Sequence, residues 1–468
     1  MKRPLLTCSL VIALGILGTV GVRHEARIEL DRAISRFRAT LPPDASFTYS
    51  SATPHILTRG AEFRNVRYME NGTVLTAATL YARSVSGNGV TGTHLGVLRT
   101  TSLTVSRNGS NVIIDDARVA DLNLPPARNE GPDGELSVLW LMHFRNAAIA
   151  HLNLQTATPA CNATIADISV ENYGLHEGSD YAMNSAALHC ALPPRTPRPG
   201  APPVKQAPLD VRLSQIGGRN VDLALTVQQL SAILTKKAEF APVMDSSKEP
   251  AKSSMTVSGF DFRQGVAAFA IASANIESRL EGHESRAHMT VPDFRLLING
   301  KPAMALLGGG LVGFTADAVS DNRTGASRST YDVTLGSYGK FSFLVDLVNA
   351  PHDGESADPS HQNTAIAKMT FAYTDASLIE RAFRQYAEKT GTPEDQLRQR
   401  ATLLLTLTGS QYAALQPLGD YIQSPSGRAF TLSFQPPSPL KIVDLATKIS
   451  LPDAALYLQP PILTSSVQ

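Results

Sequence analysis

The sequence predicts a mainly β protein with a helical C-terminal segment, in which elongated antiparallel sheets follow one N-terminal transmembrane helix. Three observations predict this class. Apolar and polar residues alternate with period two in several separate runs, as in strands with one buried face. Pairs such as Asn71-Gly72, Asn108-Gly109, Gly217-Gly218 and Asn299-Gly300 punctuate those runs, and such pairs suit tight links between antiparallel neighbours. Ahead of them stands an uncharged stretch from Pro4 to Val22, preceded by Lys2 and Arg3.

That stretch is taken as a membrane anchor spanning residues 1–22. Nineteen residues at helical rise reach about 28 Å, close to the thickness of the hydrocarbon layer. The two leading basic residues favour a cytoplasmic N-terminus and export of the rest. Gly21-Val22-Arg23-His24-Glu25-Ala26 lacks the small residues that a cleavage site needs, so the segment reads as an uncleaved signal-anchor. Residues 23–41 continue as a juxtamembrane helix. Ile28, Leu30, Ile34, Phe37 and Leu41 recur at helical spacing among charged residues, and Pro42-Pro43 ends the run.

Residues 42–192 form a first β domain. Residues 193–208 hold seven prolines in sixteen positions and read as an extended linker or surface loop. Residues 209–372 form a second β domain. There Leu209, Val211 and Leu213 alternate with polar neighbours, as do Val221, Leu223, Leu225 and Val227. Phe341, Phe343, Val345 and Leu347 repeat the pattern, followed by Met369, Phe371 and Tyr373. Residues 373–468 change to a helical period. Asp375 is placed to cap a helix carrying Leu378, Ile379, Phe383 and Tyr386, which Gly391 closes. Thr392-Pro393-Glu394-Asp395 starts a second helix, a third spans Gln411 to Ile422, and Phe430, Leu432 and Phe434 alternate as a strand.

Hydrophobic residues make up 43% of the chain, enough for sizeable cores, and a net charge of +1 argues against a nucleic-acid partner. Of three cysteines, Cys8 lies in the anchor. Cys161 and Cys190 either pair in an exported chain, which would stabilise by about 3–4 kcal/mol, or remain as buried thiols. No second ligand pair stands at zinc spacing, and no cofactor or metal is expected.

Motifs that carry chemistry fail on inspection. Gly308-Gly309-Gly310-Leu311-Val312-Gly313 has the glycine spacing of a dinucleotide loop, but its surroundings alternate as strand, so a glycine-rich bend is the reading. His283-Glu284 and His288 place their imidazoles five apart, where a shared helical face needs four. Ser410 follows Gly409, but Tyr412 occupies the position where a nucleophile elbow has glycine. Asp115, Asp116 and Asp121 read as a solvated strand face. No catalytic residue is assigned.

Thr58-Arg59-Gly60-Ala61-Glu62-Phe63-Arg64-Asn65-Val66, Tyr373-Thr374-Asp375-Ala376-Ser377-Leu378 and Phe434-Gln435-Pro436-Pro437-Ser438-Pro439, following the basic start and anchor, resemble AsmA-like and YdgA-like periplasmic proteins of Gram-negative bacteria. The resemblance covers the layout of most of the chain. It implies a β-sheet curled into an apolar groove, no catalytic residues, and a role in envelope lipid homeostasis. The expectation is a non-enzymatic single-pass inner-membrane protein with its bulk in the periplasm, binding or passing lipid. Closed β cores serving an envelope protein partner, or an exported hydrolase, remain the alternatives.

Overall fold

The computed structural model describes residues 23–88, 92–126, 141–194, 206–228, 252–298, 301–302, 312–350, 364–409, 414, 416–442, 444 and 460–468. The anchor segment 1–22, most of the proline-rich stretch, the Gly308–Leu311 part of the glycine motif, Asn299-Gly300, and Ser410 with Tyr412 lie outside the described residues. Described residues up to Gly265 form one compact unit and those from Val266 onward form a second.

In the first unit, helix α1 (Arg23–Thr40) precedes strands β1 (Ser46–Thr48) and β2 (Ser51–His55). Both pair antiparallel with β3 (Gly60–Glu70). Then β4 (Thr73–Asn88), β5 (Gly92–Arg107), β6 (Ser110–Leu124), β7 (Phe144–Ala157), β8 (Ala160–Tyr173), β9 (Ser179–Ala191), β10 (Leu209–Val221) and β11 (Lys252–Gln264) follow in order. Each pairs antiparallel with its predecessor. The Asn71-Gly72 and Asn108-Gly109 links are two-residue turns with positive φ at both positions, a geometry that glycine and asparagine tolerate best.

The strands are longer than unbroken alternation suggests, because the pleat changes phase twice along them. Positive-φ residues sit inside β3, β5, β7 and β9 at Asn65, Ser102, His151 and Ser185, and inside β4, β6, β8 and β10 at Ser84, Asp121, Asn172 and Asn220. At each slip the inner face is regained after three residues instead of two. Along β4 the core-facing residues are therefore Leu75, Ala77, Leu80, Ala82 and Val85. Such irregularities raise local twist and bend the strand.

The core of this unit lies under α1. Leu30, Ala33, Ile34 and Phe37 of the helix are buried, and Leu30, Ile34 and Phe37 share one cluster with Phe47, Phe63, Val66, Leu95, Leu122, Phe144 and Tyr173. Phe37 meets Phe47 edge-on with ring centroids 5.3 Å apart. The helix expected over 23–41 is thus present.

Three expectations change here. Residues 223–228 are helical, so the alternation from Val221 to Val227 is not a strand. The buried Asp222 decides it, accepting the Leu225 N–H at 2.8 Å and capping the turn. Gly217 and Gly218 form no turn but lie inside β10, where a side chain on Gly218 would collide with the Tyr181 ring. The proline-rich segment does not separate domains: Leu209 lies opposite Cys190, so β9 and β10 are direct neighbours and the unit boundary falls near Gly265.

The second unit contains β12 (Ala267–Glu281), β13 (Glu284–Ile298), β14 (Lys301–Pro302), β15 (Val312–Asp321), β16 (Ala326–Leu335), β17 (Gly339–Val348) and β18 (Ala365–Asp375). Helices α2 (Leu378–Thr390), α3 (Glu394–Gly409) and α4 (Gln416–Gln423) come next, then β19 (Ala429–Phe434), β20 (Leu440–Lys441) and β21 (Leu463–Val467). All pairings are antiparallel. β13 pairs with β12, β14 and β15, the sheet continues through β16 and β17 to β18, and β19 and β20 flank β18 with β21 beyond β19. The C-terminal helical segment therefore shares a unit with the strands before it. Gly391 ends α2 at φ 70, as a left-handed cap should.

Among the described residues no helix is long and apolar enough to cross a membrane. Mainly antiparallel β structure with C-terminal helices is what the chain adopts.

Candidate functional site

In the second unit the period-two pattern sorts side chains cleanly. Ala316, Tyr331, Phe343, Phe371 and Leu432 stand in one register row across β15 to β19, and Phe314, Val333, Phe341, Tyr373 and Phe430 in the next row on the same face. The opposite face carries Asp332 with Lys340 at 3.0 Å, Arg328 with Asp346 at 2.6 Å, and Ser342 with Asp332. One face is apolar and the other is laced with ion pairs.

Among the described residues, helices cover one end of the apolar face. Tyr421 of α4 is buried against Tyr373 and Phe430, with Leu378 and Ile379 of α2 beside it. Towards the Phe314–Tyr331–Phe343 strip cover is lost. Ring centroids there follow at 6.4 Å intervals, and Tyr331 and Phe343 keep 39% and 37% of their surface exposed.

The first unit repeats the arrangement. Beneath α1 the face is sealed, but Leu103, Val105, Val112, Ile114, Leu152 and Ile165, farther along the strands, are only half-buried and Leu154 is exposed. Cys161 and Cys190 stand opposite each other in β8 and β9 with Cα atoms 4.0 Å apart and are joined by a disulfide. Cys190 is buried.

Buried polar groups serve the architecture. Asp375, 1% exposed, accepts the Tyr373 hydroxyl at 2.6 Å and the Ile379 N–H at 3.0 Å, while its own N–H donates to Tyr421 Oη at 3.1 Å. The predicted cap is real, although Ser377 occupies the cap position and Asp375 reaches the helix from two residues earlier. Burial first, then the Asp375 hydrogen bond and charge, push the Tyr373 phenol well up, and burial with the Asp375 charge pushes Tyr421 up to about 12. Tyr68 and Glu70 form the matching pair in the first unit, hydroxyl to carboxylate at 3.0 Å. These phenols stay protonated and anchor strand ends.

The three aspartates noted in sequence separate onto three partners. Asp115 faces His151 at 3.6 Å, Asp116 binds Arg99 at 2.7 Å, and Asp121 binds Arg145 at 2.9 Å. A depression of about 410 Å³ includes Asp115, His151, Asn153, Thr164 and Ser185 in its lining. His151 and Ser185 lie two strand spacings apart, roughly 10 Å, so they do not form a base and nucleophile in contact. His283 occupies a hairpin end, and His288 pairs with Asp317 at 2.6 Å. Gly313 is part of β15. Among the described residues no group of three or more His, Cys, Asp or Glu is placed to hold a metal ion.

The half-exposed faces are what sequence reading located least well, since alternation announces an apolar face and is silent on what covers it. Residues 326–459, which include β16 to β20 and the three C-terminal helices, match a protein-family model described as an uncharacterized protein. No curated protein and no solved structure matches the chain.

Proposed function

We propose that this chain is a non-enzymatic periplasmic protein, held in the inner membrane by its N-terminal segment, that binds or passes lipid along its apolar β faces. The observation that carries the reading is the Phe314–Tyr331–Phe343 strip, in which Tyr331 and Phe343 stay open to solvent on a sheet whose other face carries the ion pairs. An apolar face left open to water is satisfied by a partner, and an acyl chain brings about 0.8 kcal/mol for each methylene it buries. The nineteen uncharged residues from Pro4 to Val22 supply the anchor, and the disulfide suits an oxidising compartment. The resemblance to AsmA-like proteins points the same way.

Native mass spectrometry of gently extracted full-length protein should retain phospholipid, and Phe343→Asp should reduce it severalfold while leaving circular dichroism unchanged. Protein recovered without lipid under conditions that preserve its fold would overturn the reading.

A second reading, a docking protein for an envelope partner, draws on α3. Leu403 and Leu404 are 60% and 65% exposed there, with Leu407 on the same helical side. Crosslinking in intact cells through these positions would recover a defined partner on that reading, and only free protein on the first.

A further inference from the structure

The strand register places several separate features at one end of the first unit. Gly60 at the start of β3, Val85 near the end of β4, Leu95 near the start of β5, Leu122 near the end of β6, and the paired Phe144 and Tyr173 all mark that end. Phe37 packs on Phe47, and Arg38 lies over the Tyr49 ring at 5.3 Å, so the C-terminal turn of α1 sits at the far side of β1. The helix also contacts β2, and Leu30, nearer its start, shares the core cluster with Leu95, Leu122, Phe144 and Tyr173 of that end.

At this end the chain from His55 to Arg59 forms a short 3-10 turn, Ile56–Thr58, with Arg59 left-handed at φ 46. Leu57 at its tip is 100% exposed, and Ile56 beside it is also exposed. Leu141, which precedes β7 and the bridge between Asn123 and His143, is a third exposed apolar residue there. Arg59 follows the turn and Glu177 pairs with His143 at the same end, while Glu25 and Arg27 are exposed in the first turns of α1.

Where α1 begins supplies the occupant. The uncharged run ends at Val22, and the first buried helix residue is Leu30, eight positions on, or about 12 Å at helical rise. A helix whose Leu30, Ile34 and Phe37 are locked into the core is no slack tether. It brings this end of the sheet up to whatever surface the preceding segment enters.

We infer that this end of the first unit is a membrane-docking surface, with Leu57, Ile56 and Leu141 seated in the headgroup region of the bilayer that carries the anchor. The inference rests on the anchor reading of residues 1–22 and is independent of whether the apolar faces bind lipid. Leucine side chains at such a depth enter about 5–10 Å into the boundary between headgroups and acyl chains.

The test uses the full chain with Cys8→Ser, leaving the disulfide intact, and either Leu57→Cys or, at the opposite end, the exposed Arg107→Cys, each labelled with an environment-sensitive fluorophore. The protein is reconstituted into phosphatidylcholine and phosphatidylglycerol vesicles with or without brominated acyl chains. The probe at position 57 should be quenched by bromine at least about twofold more than the probe at position 107. If the protein floats with the vesicles but both probes are quenched alike, the docking surface falls and the anchor stands. If it does not float with them, the anchor reading and this inference fall together.

Discussion

Asp375 shows how much one buried carboxylate does in this molecule. It ends β18, caps α2 through Ile379, holds the hydroxyl of Tyr373, and donates its backbone N–H to Tyr421 of α4, so three elements of the second unit meet at one residue. Replacing it with alanine removes the cap and leaves a buried phenol without an acceptor. The expected loss is about 2–4 kcal/mol, read as a lower urea midpoint, with Tyr373→Phe costing only about 1 kcal/mol. A smaller loss for Asp375→Ala than for Tyr373→Phe would contradict this account. Tyr421 adds a dependence on alkali. Its folded phenol titrates at about 12, above the ordinary phenol value near 10, so the folded state keeps the proton longer than the unfolded chain. Stability should hold below pH 10 and fall as pH rises towards 12, and Tyr421→Phe should flatten that decline in alkaline unfolding curves. The cap was legible in the sequence as Asp375 before an apolar helical run. The tyrosine partners were not, because Tyr421 lies 46 residues away and only the fold brings it back.

At the scale of elements, α1 is a structural member of the first β unit. Phe37 is 5% exposed and packs on Phe47 at the edge of the core. Phe37→Ala should cost about 3–5 kcal/mol in chemical denaturation followed by far-ultraviolet circular dichroism, whereas Arg36→Ala on the exposed side should change little. Equal effects would mean that the helix is not docked in solution. Helical spacing of Leu30, Ile34 and Phe37 announced this element directly. The segment from Val221 to Val227 shows where such reading stops. Its alternation fits a strand, yet the Asp222 carboxylate finds the Leu225 N–H and the local cap outweighs the pattern. The strands carry a related lesson: Leu75, Ala77, Leu80, Ala82 and Val85 share one face only because the backbone slips phase, which a strict two-residue rule misreads after the second residue.

Taken as a molecule, the chain builds two antiparallel β units, each with an apolar face that, among the described residues, helices cover at one end. The proposed lipid role is a consequence of that incomplete cover. Period-two alternation, Asn-Gly turns and the C-terminal change to helical spacing were enough, by themselves, to determine a β protein with terminal helices, because pleat, turn and helix are set by residues a few positions apart. The uncharged N-terminal run likewise needs no fold to be read. Which strands are neighbours, where the unit boundary lies, that Cys161 meets Cys190, and which apolar residues stay open to solvent were decided by the tertiary structure alone. Those facts depend on contacts between residues far apart in the chain, and alternation is the same whether the face it makes is sealed or bare.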